Sequence, residues 1–483
     1  VTVSRPLAVM AEQCTGRGAH GVVNAAAPLA AQAGADMLRR GGNAYDAVVA
    51  MALAEGVLLP PKCGLAGDLI AIVLPAGASE PEALVAVGGA PAGLADIALA
   101  GTWSDVGPTS VGPPGAPAGL LALAARGELP LAMLAGPALD LAEGFPWAEV
   151  CTDLSRQSAA LVQQHNPDGC TYYSDGQPIA AGTIVHLPRL AAAIESFVAL
   201  REGFLAGPVG DAIVEAVQSR GGVLTHDDVV SAVAEWMPCA VGNAGPLRAW
   251  ATPAPTHGPS LLDAVSGASA GDDPAAEYRR VMDAIAARAA TLGDPSGTSM
   301  ISAADRWGNV VVVVHSNSYP RFGSGIVEPE FSLVLANRAG RGFTPEPGHP
   351  NFPVAGRRPA TTLHAWAVAD VTGAVRFLGA TPGGANQMPW NAQMIGQIVS
   401  GVDHPGLLVT SPRWEWLPDD DGVRVEDGFA ADAVEALEAL APRMVRSPRW
   451  ACRSAQQVVC VPRPGEAVVG AADPRTVGLS LGL

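Results

Sequence analysis

The segment that decides the fold is GDPSGTSMISAADRWGNVVVVVHSNS, residues 293–318. A breaker cluster, Asp294-Pro295-Ser296-Gly297, runs into the hydroxyl pair Thr298-Ser299. A short alternating stretch, a turn at Asp305 to Asn309 and five consecutive valines follow. Two such runs about a Gly/Asn turn predict a hairpin. Valine at every position leaves no polar face, so both faces of its sheet must be covered. A threonine at the edge of so buried a hairpin calls for a reason. A hydroxyl is a poor nucleophile unless a base lies beside it. One solution uses the threonine's own α-amine, which titrates near neutrality (about 7.7–8.0 for a free α-amino group). That requires the Gly297–Thr298 peptide bond to be cut, and the flexible Pro-Ser-Gly lead is a chemically suitable place. An ordinary turn before a strand has the same Gly-Thr pattern.

The bulk composition bounds the function. A chain of 483 residues, 49% hydrophobic but only 5% aromatic, has ample material for a core of Ala, Val and Leu. Its formal net charge of −17 repels phosphate backbones, which argues against nucleic-acid binding. Lys62 is the single lysine, so nearly all positive charge is arginine. Seven scattered cysteines without a C-x-x-C pair read as reduced thiols. No basic flank precedes an apolar run at the start, and no apolar stretch reaches spanning length. The expectation is a soluble, cytoplasmic protein with no membrane partner.

Along the chain, NAAAPLAAQAGADMLRRGG predicts a helix capped at Asn24, and NAYDAVVAMALAEGV a second one capped at Asn43 with Asp46 in its first turn. LIAIVLP and ALVAVGG have the pattern of buried strands. Further helices are predicted over 188–202, 209–219, 275–290, 386–399 and 430–441. Residues 104–118 form a Pro/Gly loop. After residue 298 strands dominate: TSMISAA, VVVVVHS, LHAWAVAD, AVRFLGA, QQVVCVP and EAVVGA. The coarse picture is a buried sheet covered by helices.

Several motifs lead elsewhere. GRGAHG satisfies G-x-G-x-x-G at Gly16, Gly18 and Gly21, but no strand precedes it and the next acid, Asp36, lies inside a helix. A glycine-rich loop is the expectation. The nine histidines form no ligand-spaced cluster, which leaves a metal site without support. His315 reads as a packed, hydrogen-bonded histidine.

The ordered motifs around Thr298 resemble the γ-glutamyltranspeptidase family of N-terminal-nucleophile (Ntn) hydrolases. LRRGGNAYDAVVA, CGLAGDL, GGVLTHDDV, PAPTHGPSLLDAV, TSMISAADRWGN, HSNSYPRFGSGIVEP, LANRAGRGF, GRRPATTL, TPGGANQ and GAADPR occur in family order across most of the chain. The resemblance implies an α/β (α+β) fold, a four-layer αββα sandwich made as one precursor. Residues 1–297 would be its large-subunit part and 298–483 its small-subunit part, the two associating after cleavage between Gly297 and Thr298. It implies Thr298 as nucleophile, Ser316 as a second hydroxyl holding it, and Gly383 and Gly384 as amides receiving the oxyanion. Asn317 would line the pocket, and Thr361-Thr362 would stand where the family grips a substrate carboxylate. It implies a small-molecule substrate and no cofactor.

The departures from the family pattern carry information. Where γ-glutamyl enzymes carry an arginine before A-P, this chain reads VAVGGAP (85–91). Where they carry an acid pair after the LNNQ-like turn, it has Gly340 and Arg341, with Arg338 just before. Both handles for a zwitterionic glutamyl head are lost and guanidinium groups are gained, which disfavours glutathione-like donors. The expected substrate is a carboxylate-bearing small molecule that Arg338 or Arg341 engages. Relatives with altered pockets include amide acylases and hydrolases of a carbon–carbon bond in the assembly of 4-alkyl-proline antibiotic units, and the extra arginines favour the second group. An unusual γ-glutamyl hydrolase and a catalytically inactive binding relative are the rival readings. The lead from TLGDP (291–295) to Thr298 is also far shorter than the family's linker.

Overall fold

The computed structural model describes residues 5–289, 298–418, 422–463 and 465–483. Fourteen strands build two seven-stranded sheets. In chain order they are β1 (Thr15–Gly18), β2 (Gly21–Ala25), β3 (Asp68–Leu74), β4 (Glu82–Ala86), β5 (Glu235–Pro238), β6 (Ala240–Ala244) and β7 (Leu247–Ala251). After the hairpin strands β8 (Ser299–Asp305) and β9 (Val310–Ser316) come β10 (Ala365–Ala369), β11 (Val375–Ala380), β12 (Gln457–Cys460), β13 (Val468–Ala472) and β14 (Leu479–Gly482). One sheet runs β14-β2-β8-β9-β3-β4-β5 and the other β1-β13-β12-β11-β10-β7-β6. Every ladder in both is antiparallel.

The five valines sit at the centre of the first sheet, and all seven residues of β9 are buried. Period-2 alternation sends them to different cores. Val310, Val312 and Val314 pack with Trp250, Ala367, Leu378 and Val459 of the other sheet, forming the layer between the sheets. Val311 and Val313 face outward onto helices α1 (Pro28–Arg39) and α2 (Ala44–Leu58). The outer face of the second sheet, with Trp366, Val368 and Phe377, is covered by α3 (Gly258–Val265), α4 (Pro274–Ala289) and α5 (Gln387–Val399). Three apolar layers separate four structural layers, helix–sheet–sheet–helix, which is the expected αββα sandwich. The sheet expected from composition alone was single; an all-valine strand reports covered faces without saying what covers them.

Most elements fall where the sequence places them. Asn43 caps α2 through a reciprocal capping box with Asp46. The expected cap at Asn24 is wrong: Asn24 lies inside β2, buried, with its Nδ2 donating to Ser302 Oγ at 2.9 Å. Helix α1 starts at Pro28 instead, where a proline's fixed φ suits the first turn. The GRGAHG segment is also corrected from a loop: Gly16 and Gly18 lie in edge strand β1, and Gly21 opens β2. All seven cysteines are unpaired. Among the described residues no helix is long and apolar enough to cross a membrane.

Candidate active site

The two sheets end together at Thr298. Ser299 faces His315 and Ser316 faces Asp68 across adjacent ladders, so one further step sets Thr298 level with Ser316. Thr298, Ser316 and Asp68 therefore form a row across three strand ends, spaced by about 5 Å per strand. Residues two apart share a face, and Met300, Val314 and Ile70 belong to the layer between the sheets, so this row does too. Thr298 is 1% exposed. Ser316 Oγ accepts the Ser318 amide at 2.8 Å, which shapes the turn out of β9.

The second sheet reaches the same point through the end of β11. Beyond Ala380 the chain passes Gly383 and Gly384, both with left-handed φ (+145° and +60°), and enters α5 at Gln387. At Gly383 the glycine is required twice over, since a Cβ there would meet the Trp390 ring at 2.3 Å. Gln387 Nε2 donates to Thr298 Oγ1 at 2.9 Å. The positive end of a 13-residue helix thus lies beside the hydroxyl, with Gly383 and Gly384 four and three residues before Gln387 in the chain. Neither glycine N–H donates to a described group.

Beside the row, Arg338 is buried with its Nε on Asp68 Oδ2 at 2.8 Å, the side chains being 4% and 2% exposed. Asp68 also accepts the Gly88 amide at 3.3 Å. Burial pushes the Asp68 carboxyl up, and the Arg338 guanidinium opposes that. Both Nη atoms of Arg338 are buried without a partner among the described residues. Other orphaned buried atoms gather on the same motifs: Asn317 Oδ1, Ser318 Oγ, Thr362 Oγ1 and Gln387 Oε1. Buried polar atoms are normally satisfied by the protein, an ordered water or a ligand.

The remaining expected residues divide. Asn317 is fixed by its Nδ2 on Pro60 O (3.1 Å) and its amide on Lys62 O (2.8 Å). Gly67 lies so close to it that a Cβ would come 2.6 Å from Asn317 Oδ1. Thr361 Oγ1 accepts the Leu363 amide (3.2 Å), a structural use, whereas the Thr362 hydroxyl has no partner among the described residues. Arg341 stands apart from Arg338: its Nη1 donates to Asp105 at 2.7 Å and its guanidinium lies over Tyr319. Gly297 lies outside the described residues.

Three residues near the site had no role assigned from sequence. Gln387 and Asp68 sit inside quoted motifs but were not singled out. Glu55 lies behind the row, on the helix-facing side of the sheet. It accepts Ala26 N–H (2.8 Å) at one oxygen, and Ser299 Oγ (2.6 Å) and His315 Nε2 (2.9 Å) at the other. An acid beyond the first turn of an otherwise apolar stretch was the available signal, because a buried carboxylate must find partners. Glu55, Cys63 and His315 are the ligand-type cluster among the described residues, within 4.8 Å of one another. The hydrogen bonds already fill the Glu55 carboxylate, and burial holds the Cys63 thiol well above its usual range. The cluster is built as a structural link.

The fold and the converging strand ends define an Ntn-hydrolase-type enzyme. The gamma-glutamyltranspeptidase family profile matches residues 30–280 and 266–483. The chain belongs to that family. It is 26% identical to the Glutathione hydrolase proenzyme of Escherichia coli K12 over 95% of this chain and 91% of that one. It is also 26% identical to the Oxamate amidohydrolase proenzyme of Klebsiella pneumoniae, covering 96% and 98%. The solved cephalosporin acylase from Bacillus halodurans superposes with a TM-score of 0.85 at 24% identity, covering 97% of each chain, and shares the fold. The protein is a hydrolase or acylase of this family.

Proposed function

We propose that the chain is a proenzyme cut between Gly297 and Thr298, and that it hydrolyses a carboxylate-bearing small molecule lacking a γ-glutamyl head. The freed α-amine takes the proton from Thr298 Oγ as that oxygen attacks the substrate carbonyl. The Gly383 and Gly384 amides, at the positive end of α5, receive the oxyanion. Collapse expels the leaving group with the proton held by the amine, and water then hydrolyses the threonyl ester. The leaving group is an amine, or a stabilised carbanion where the bond is carbon–carbon as in 4-alkyl-proline assembly; product analysis reads which. Proenzyme relatives and the amide hydrolase among them support this chemistry.

One observation carries the substrate class. Arg338 is held through Nε by Asp68, a member of the row that contains Thr298, and both its Nη atoms are buried without a hydrogen-bond partner among the described residues. A guanidinium fork so placed suits a planar carboxylate. Arg341, already paired with Asp105, supports the wall of the site.

The test compares glutaryl-p-nitroanilide with γ-glutamyl-p-nitroanilide, which differ only by the α-amino group. The glutaryl compound is the expected donor. R338M should raise its KM roughly 10- to 100-fold with little change in kcat, the value of a charge-assisted hydrogen bond. Thr298→Ala should leave a single 48.9 kDa chain without turnover. Preferred turnover of the γ-glutamyl compound, or an active uncut chain, overturns the reading.

A further inference from the structure

Gln387 is wholly buried, and its two amide atoms differ in state. Nε2 donates to Thr298 Oγ1, while Oε1 has no partner among the described residues. A buried carbonyl oxygen without a donor is costly, and a donor that arrives later is one way to satisfy it. We propose that Gln387 is a two-ended positioning residue for the nucleophile, and that its Oε1 receives the α-ammonium of Thr298 once the Gly297–Thr298 bond is cut. This rests on the processing step proposed above.

The chemistry is complementary at both ends. A carboxamide presents a donor and an acceptor side by side, and an N-terminal threonine presents a hydroxyl oxygen and an amine side by side. Before cleavage the Thr298 nitrogen belongs to a peptide bond and carries one hydrogen. After cleavage it carries two more, in the ammonium form, and one of them points to Oε1. The donor end acts earlier. In self-cleavage Thr298 Oγ attacks the Gly297 carbonyl carbon, the C–N bond breaks, the proton from Oγ ends on the new amine, and water hydrolyses the resulting ester. The Nε2–H bond stabilises the negative charge that develops on Oγ as its proton leaves. Gln387 is well suited to hold this position, because it is the first residue of α5 and α5 is packed on three sides by α3, α4 and the second sheet.

The two ends are tested without knowing the substrate. Self-cleavage is followed by intact mass after synthesis of the precursor. Q387M, which removes both polar ends at similar volume, should slow it roughly 10- to 100-fold. The mature amine is then titrated by acetic anhydride labelling of the Thr298 peptide across pH. An acceptor favours the charged amine and raises its pKa. The amine of Q387M should therefore titrate about half a unit or more below that of the wild type, and the amine of Q387E above it. Q387E keeps an acceptor but lacks the donor, so its cleavage should be slow as well; fast cleavage would mean the amide is turned the other way and would overturn the proposal. Circular dichroism melts identify a variant that fails to fold, and Q387N is the shorter control that should restore neither readout. If the wild type stays uncut, the processing reading itself fails. If the wild type cuts, Thr298→Ala does not, and Q387M matches the wild type in rate and amine titration, only the role of Gln387 falls.

Discussion

At the scale of the residue, the candidate site holds pairs in which one member is hydrogen-bonded within the fold and the other has polar atoms without a partner among the described residues. Thr361 hydrogen-bonds its own loop while Thr362 keeps a free hydroxyl. Arg341 answers Asp105 while Arg338 keeps two open Nη atoms. The Asp68–Arg338 pair shows the logic best, because a buried guanidinium without its anchor would carry an uncompensated charge. Removing one partner of a buried pair costs about 3–5 kcal/mol. D68N should therefore lower stability by roughly that amount, measured by urea unfolding. Because the charge left on Arg338 seeks an anion, added glutarate should recover more stability in D68N than in the wild type. Equal effects of glutarate on both proteins would show that Arg338 does not face the ligand site.

At the scale of the element, what the sequence announced and what it hid follow from the range of the interactions involved. Helix α2 was legible because its cap is local: Asn43 accepts from the Tyr45 and Asp46 amides, and Asp46 reaches back to the Asn43 amide. Asn43→Ala should cost about 1 kcal/mol, seen as a lower urea midpoint at unchanged m-value. The β8–β9 hairpin was legible because its valines admit no solvated face. Asn24 was misread because a cap residue and a strand residue that bonds a neighbouring strand look alike in sequence; Ser302, its partner, is 278 positions away. Separations of 244 and 260 positions hid the Glu55 link in the same way. Glu55 ties α2 to the first residue of β8 and to His315 of β9, so it holds Ser299, and with it Thr298, in register from behind. Thr298, Ser316 and the two glycines were named through family motifs, which carry order along the chain. The row that joins Thr298 to Asp68, and through it to Arg338, exists only after strands pair.

At the scale of the whole molecule, the position of the proposed cut explains why it need not dismantle the protein. The bond lies at the entrance to β8, between β2 and β9 in the first sheet. Strands β8 to β14 come from residues after 298 and β1 to β7 from residues before it. Five ladders therefore join the two parts: β14 with β2, β2 with β8, β9 with β3, β1 with β13, and β7 with β10. The layer between the sheets draws on both parts as well, with Val22, Ile70 and Trp250 from one side and Val312, Leu378 and Val459 from the other. Interleaving of this kind puts the interface in the cores rather than on a surface patch, as in obligate assemblies. Cutting one peptide bond removes only the tether, and the tether contributes little where the parts share two sheets. The mature fragments should therefore elute together at the volume of the uncut Thr298→Ala chain, down to nanomolar concentration. They should also unfold in one cooperative transition, whose midpoint depends on concentration in the cut protein and not in Thr298→Ala. Elution of separate folded fragments, or two resolved transitions, would show instead that the parts are independent domains and that the ladders across the cut do not hold them.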